Sequence, residues 1–294
     1  MVTLTVGIPF TRVDSYLDMA IESVRNQTFP DWELILYGDG VDPVALEELA
    51  ERWPDEKRIR VLGHTAKRGL AAVLNDIAHL ADGKYLFRMD ADDIMLPRRL
   101  SDQLALLRSY NNDNVVLSGG AIVINESNQV CGELKLLKYS GARRELLHSS
   151  IIVHPTVAST TDWFLRNPYD SEFSRAQDKE LWLRASSHTR FIVDPRPFVF
   201  YRIADQVQKF PQSSQFNRAI LRRYARDLVG PARFAVLMTK EFVLSSMITN
   251  RVLQNLYQLD MSISSRCYAM SLESSRALQA ELDAVVRSRK IPPS

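Results

Sequence analysis

Three acids fall within four residues at Asp90-Ala91-Asp92-Asp93, directly after an apolar run, Tyr85 to Met89, that one arginine interrupts. Carboxylates this close repel one another, and a cation relieves the repulsion. Hard divalent ions such as Mg²⁺ or Mn²⁺ take oxygen ligands and often share them with substrate phosphates. The stretch therefore suggests a divalent ion bridging protein and diphosphate. The competing reading is a polar loop with an Asp-rich cap before Pro97, because short acidic motifs recur without function. Asp178, in Gln177-Asp178-Lys179-Glu180-Leu181-Trp182, is the second feature. A carboxylate there suits a general base that takes a proton from a hydroxyl. It suits a helix N-cap equally well.

Smaller candidates surround these two. Asp39 lies between Gly38 and Gly40, which allow close backbone approach. It suits a base or ribose contact, or a turn that bonds its own backbone. Arg68 could reach a phosphate or ribose, or start a helix as an exposed residue. Asn75 sits inside a helical pattern, where asparagine is mildly unfavourable, so it bonds either into a site or to a neighbouring loop. Other chemistries lose their support. The first strand-like run ends Gly7-Ile8-Pro9-Phe10-Thr11-Arg12, without the Gly-x-Gly-x-x-Gly of a dinucleotide site, and no P-loop pattern occurs. His148, His154 and His188 lack the spacing of zinc ligands. Gly-x-Ser-x-Gly is absent, which removes that serine-hydrolase signature.

The elements that must hold these residues alternate. Val2–Ile8, Trp32–Tyr37, Arg58–Leu62 and the run from Tyr85 read as strands, with helices over Tyr16–Arg25, Pro43–Trp53 and Gly69–Leu80 between them. Four such alternations in about ninety residues imply parallel βαβ units with right-handed crossovers. The acids then leave the sheet at a carboxyl strand end, where open α/β sheets place ligands. Further on, Pro97 opens a helix through Ser109. Val115–Leu117 and Ala121–Ile124 read as two short strands around Gly119-Gly120, and residues 125–160 are mixed. A short helix follows at Asp178–Ala185, then strands at Arg190–Val193 and Pro197–Tyr201. From Ser213 the periodicity is helical, with helices expected over 232–248 and 271–287, so a soft boundary falls near Asp205.

Composition bounds the class. The chain has 294 residues, 46% hydrophobic and 24% charged, enough for one large domain with an appendage. A formal net charge of +2 gives no general case for nucleic acid. The charge is uneven: residues 205–294 carry a net +6 and residues 1–204 a net −4. The basic C-terminal part is either a solvated helical face or a surface for a second copy or an anionic membrane. Two distant cysteines, Cys131 and Cys267, fit free thiols in a reducing compartment. No signal peptide or membrane span is expected, which points to a cytoplasmic protein, at most peripheral to the inner face of the membrane.

Taken in order, these stretches resemble family 2 glycosyltransferases of the GT-A fold. The matching residues are Val6–Arg12, Ala20–Thr28, Trp32–Gly40, Arg68–Asn75, Asp90–Asp93, His154–Val157 and Gln177–Arg184, and the resemblance spans about residues 2–203. It implies a Rossmann-like, mostly parallel sheet with a helical C-terminal extension. Residues 1–95 would bind the nucleotide sugar, 96–204 the acceptor, and 205–294 would form the helical part. The implied activity is inverting transfer of a sugar from a nucleoside-diphosphate sugar, of UDP type, to a saccharide or other hydroxyl acceptor. By that resemblance Asp39 would hold the base and Asp90 would sit near the ribose. Asp92 with Asp90 would form the Mn²⁺ or Mg²⁺ site, and Asp178 would be the base. Pro9, Thr11, Arg12, Arg68, Asn75 and Ala91 would line the nucleotide-sugar pocket. The chain departs from the family pattern at Gly38-Asp39, where one acid of a usual pair is missing, and at Val41-Asp42-Pro43. Tyr201-Arg202-Ile203-Ala204-Asp205 also lacks the His that many relatives carry. A sugar-phosphate nucleotidyltransferase would need a basic, glycine-rich loop after the first strand, where only Arg12 stands. A silent nucleotide-sugar-binding module is the remaining alternative.

Overall fold

β1 (Leu4–Phe10) is buried along its whole length, as an apolar run covered on both faces requires. The computed structural model describes residues 2–147, 151–203, 210–249 and 267–288. β1 runs two residues past the end expected at Ile8. Gly7 offers its carbonyl to Met89 on the β4 side, so Pro9, two residues on, turns its missing N–H to that same side. The β4 ladder has ended there, at Gly7 and Arg88, and no sheet bond is lost.

The first half is built as the alternation predicts. α1 (Ser15–Arg25) is capped by Asp14, which accepts from the Tyr16 and Leu17 amides, a contact worth about 1 kcal/mol. β2 (Trp32–Asp39), α2 (Pro43–Glu51), β3 (Ile59–His64), α3 (Leu70–Leu80) and β4 (Tyr85–Arg88) follow. β3, β2, β1 and β4 lie side by side, all parallel. Their carboxyl ends therefore share one edge, and the loops leaving that edge carry Thr11, Asp39, Lys67 and Asp90.

The second half adds antiparallel strands. After β5 (Ile94–Met95) and α4 (Arg99–Tyr110) comes β6 (Val115–Ile124), one ten-residue strand where two were expected. β9 (Arg190–Arg202) is likewise continuous. The two run parallel with register shifts at Gly119 and Gly120. A side chain at Gly119 would meet the Phe198 ring at 2.2 Å, and one at Gly120 would meet the Pro195 carbonyl at 2.8 Å. The glycine pair thus admits the irregular backbone of its partner and does not break its own strand. The mixed region holds β7 (Val130–Leu134), 3₁₀ turns at Arg143–Leu147 and His154–Thr156, and β8 (Ala158–Thr160). β8 is antiparallel to both β4 and β6, which joins the two halves.

α5 (Thr161–Arg166) and α6 (Gln177–Ala185) precede β9. Beyond it, α7 (Phe210–Ile220) runs through a π-helical turn, Leu221–Ala225, into α8 (Arg226–Thr249). α8 breaks at Gly230 (φ 78°), so its long arm begins at Pro231, where proline's fixed φ is favourable. The C-terminal part also supplies β10 (Cys267–Tyr268), antiparallel to β7, a strand the helical reading did not include. α9 (Leu272–Ser288) packs back against the first 203 residues, where Leu282 and Val285 share a core with Met19, Ile94, Ile122 and Phe200. The boundary expected near Asp205 and the expected histidine position His148 lie outside the described residues. Among the described residues no helix is long and apolar enough to cross a membrane.

Candidate active site

At the carboxyl edge of the sheet lies a cleft of about 570 Å³. Four places on this edge contribute to its walls: Pro9 near the end of β1 with Thr11 and Arg12 after it, Asp39 at the end of β2, Lys67 and Gly69 before α3, and Asp90–Asp92 after β4. Ser174 and Arg175, in the segment before α6, and Gln177, its first residue, line the cleft as well. Tyr16, in the first turn of α1, is also part of the lining.

The acid loop is held from below. Arg88, the last residue of β4, is buried and forks onto both carboxylate oxygens of Asp90. Asp93 is fully buried, and its Oδ1 accepts the Arg202 amide at 2.9 Å. Arg202 also donates Nε to the Asp92 carbonyl at 3.0 Å and Nη1 to the Asn125 carbonyl at 2.7 Å, and it lies over the Tyr16 ring at 4.2 Å. Oxygens of Asp90, Asp92 and Asp93 lie within 4.8 Å of one another, the one such grouping of possible metal ligands among the described residues. Burial first, and the charge of Asp90 second, push Asp92 above the ordinary carboxylate value. Asp93 is raised well above it, by burial and then by Asp92. An all-oxygen set whose ionised form is this unfavourable fits a hard divalent cation, since neutralising the group removes the penalty.

Asp39 is 4% exposed, and both of its oxygens are engaged. Oδ1 accepts the Arg68 amide at 2.6 Å and Oδ2 the Gly69 amide at 2.9 Å. The carboxylate thus pins the loop before α3, where Gly69 adopts φ 90°, a conformation suited to glycine. The Arg68 side chain turns away to Asp76 at 2.6 Å and His64 at 2.7 Å, and Lys67 takes the place at the cleft. Asn75 is also away from the cleft. Its amide clips Tyr169, donating to the carbonyl at 2.9 Å and accepting the amide N–H at 2.8 Å. Neither residue expected in the pocket lines the cleft with its side chain: Asn75 faces the Tyr169 loop, and Arg68 faces Asp76 of α3 and His64 of β3. Replacing Asn75 by Ala strands both Tyr169 backbone groups and is expected to cost about 1–3 kcal/mol of stability, read by denaturant unfolding, with nucleotide affinity unchanged.

Asp178 is half-buried in the first turn of α6, but it is not the cap. Ala176 holds that position in a left-handed conformation (φ 57°), and Glu180 bonds back to its carbonyl at 3.1 Å. Asp178 is therefore the second helical residue, and the N-cap reading fails. Burial raises its carboxyl above the ordinary value, while the Lys179 amide and the charge of Arg88 pull it back. The same Arg88 that grips Asp90 therefore lies within electrostatic reach of Asp178. His154 packs between Tyr169, with Nε2 to the hydroxyl at 2.9 Å, and the edge of Trp182. Burial and then Arg88 hold it neutral. His188 bonds Asn167 at 2.9 Å. His154 acts as a packing residue and His188 as an exposed surface residue, and neither joins a group of possible metal ligands among the described residues. Tyr16, Lys67, Ser174, Arg175, Gln177 and Arg202 escaped sequence reasoning.

Solved structures share this architecture. Over 98% of this chain, S. aureus TarS 1–349 in complex with UDP-GlcNAc superposes with a TM-score of 0.57 at 15% identity, over 82% of that chain. A longer TarS structure is covered over only 46% of its length. The mannosyltransferase PcManGT of Pyrobaculum calidifontis, in complex with GDP-Man and Mn²⁺, gives 0.58 at 15% identity over 98% of this chain and 87% of its own. The fold is that of GT-A glycosyltransferases, a mixed α/β sheet with C-terminal helices. An uncharacterized glycosyltransferase of Methanocaldococcus jannaschii is 28% identical over 201 residues, 67% of this chain and 69% of that protein. The family model for glycosyl transferase family 2 matches residues 5–160, so the chain belongs to that family and is a glycosyltransferase.

Proposed function

We propose that the chain transfers a sugar from a nucleoside-diphosphate sugar, of UDP type, to a saccharide or other hydroxyl acceptor, with inversion at the anomeric carbon. The observation that carries the reading is the shared cleft: Asp90–Asp92 of the acid loop and Gln177, the first residue of α6, line the same cavity, and Asp178 is the next residue of that helix. Residues 1–95 supply the donor side and residues 96–204 the acceptor side. In this reading Pro9, Thr11, Arg12, Asp39, Lys67 and Ala91 line the space for nucleotide and sugar. Asp92 would hold Mn²⁺ or Mg²⁺, and Asp90, beside it in the acid loop, would sit near the ribose. When bound, such an ion supplies positive charge to the departing diphosphate.

The remaining chemistry falls to the protein. Asp178 takes the proton from the acceptor hydroxyl, whose oxygen bonds to the anomeric carbon. The bond from that carbon to the diphosphate oxygen breaks, and the electron pair leaves with the nucleoside diphosphate. Attack from the face opposite the leaving group inverts the centre. Unlike a glycoside hydrolase, this route needs one catalytic carboxylate, because the leaving group needs no proton.

A thermal-shift panel of nucleoside-diphosphate sugars tests the reading. A donor at about a hundred times its dissociation constant stabilises by about 2.7 kcal/mol. In a chain of this size that is a rise of roughly 5–10 °C. The rise is expected with Mn²⁺ present and lost with chelator. A panel in which no sugar nucleotide moves the transition contradicts it.

A further inference from the structure

Arg88 is the one charge in the Tyr85–Met89 run, and it is 4% exposed at the carboxyl end of β4. A guanidinium out of water persists only when paired and hydrogen-bonded. Here the fork takes both oxygens of one acid: Nη1 meets Asp90 Oδ2 at 3.0 Å, and Nη2 meets Oδ1. The Arg88 carbonyl is gripped in turn by Nη2 of the buried Arg99 at 2.7 Å, which fixes where the fork points. Arg88 Nε lacks a partner, and beside the residue lies a void of about 10 Å³, room for about one water. Both acids line the cleft, but they differ in state: Asp90 is neutralised from beneath by Arg88, and Asp92 is not ion-paired among the described residues.

We infer that Arg88 is a positioning residue that withdraws Asp90 from the cation, leaving Asp92 as the one acid that lines the cleft without an ion pair and making the wall that meets the diphosphate less acidic. The inference rests on the metal reading above. A carboxylate locked bidentate on a guanidinium has its two oxygens turned to that partner. It has less charge to offer a second cation. Without Arg88, Asp90 is free to become a second ligand, so a bare cation gains a partner while an anionic diphosphate meets one more negative charge. The two affinities therefore move in opposite directions. A residue that merely supports the fold moves them together.

Calorimetric titration of the full chain with MnCl₂, and then of UDP into the Mn²⁺-saturated protein, reads both. Arg88→Met is expected to bind Mn²⁺ about tenfold more tightly and UDP about tenfold more weakly, the size of one close unit charge in a partly screened site. Arg88→Lys, which keeps the charge, is expected to stay within about threefold of the parent for Mn²⁺. Asp90→Asn is expected to leave Mn²⁺ affinity within about threefold as well. Parallel losses in Arg88→Met, unchanged affinities in it, or a tenfold loss of Mn²⁺ affinity in Asp90→Asn each overturn the inference. If Arg88→Met shows no cooperative unfolding transition, the Asp90→Asn titration decides. A parent protein that takes up no Mn²⁺ defeats the metal reading itself, a separate and recognisable result.

Discussion

Replacing Asp178 by asparagine is expected to lower kcat about a thousandfold, with binding of nucleoside diphosphate and Mn²⁺ left within about twofold of the parent. The amide keeps the shape and the contact with the Lys179 N–H but cannot take a proton. Asp178 belongs to the first turn of α6, next to Gln177 of the cleft lining and apart from the acid loop, so in this reading its loss touches the acceptor proton and spares the diphosphate. A pH profile adds a second reading of the same group. Burial holds the Asp178 carboxyl above its ordinary value of 3.8. The base works only when ionised, so kcat/KM falls on the acid side at a pH higher than an exposed aspartate gives. A profile that stays flat down to that ordinary range contradicts the assignment. Equal loss of nucleotide binding and turnover in Asp178→Asn contradicts it too.

Asp92→Asn is expected to act in two opposite directions. Transfer and Mn²⁺-dependent nucleotide binding are lost, because the one acid of the loop that faces the cleft without an ion pair is gone. The metal-free protein, in contrast, gains stability. Asp92 and Asp93 bind protons more tightly in the folded than in the unfolded chain. Their contribution to stability is therefore fully present below the ordinary carboxylate range and is lost as pH rises through the elevated folded values. At neutral pH the ionised pair weakens the fold, and removing one charge relieves it. A relief of about 1 kcal/mol raises the unfolding temperature by roughly 2–4 °C in a chain of this length. Differential scanning calorimetry in chelator, at pH 7.5 and again near pH 4, checks the sign: the gain shrinks at the lower pH. A variant that unfolds earlier than the parent at both values refutes the electrostatic account of the loop. This trade is common where function places like charges together.

Where local signals agreed with tertiary demand, the fold was legible. β1 to β4 with their three helices follow from apolar period and turn residues, because parallel strands covered on both faces need continuous apolar runs. The acid loop was visible as well: three carboxylates within four residues at the end of such a run repel one another unless a cation compensates. Arg88 was visible as an interruption, but its meaning was not, because which acid a buried guanidinium selects depends on where the strand end points. Asp39 and Asn75 divide instructively. Both are polar residues at the expected places, yet Asn75 serves the Tyr169 loop, and Asp39 spends both oxygens on the Arg68 and Gly69 amides at the cleft wall. Gly119-Gly120 reads as a break because glycine weakens strands. Only the approach of Phe198 and Pro195, some eighty residues later, shows why it sits within one. Lys67 reaches the cleft from the loop before α3, and Tyr16 and Gln177 from the first turns of α1 and α6; none of them carries a local pattern.

The central claim is that the cleft holds a nucleoside diphosphate through a cation seated on Asp92. Isothermal titration of UDP into the intact chain, once with Mn²⁺ and once with excess chelator, tests it most directly. The account predicts saturable binding that weakens by at least about tenfold in chelator, as loss of one close charge contact requires. Binding of equal strength in both solutions contradicts it.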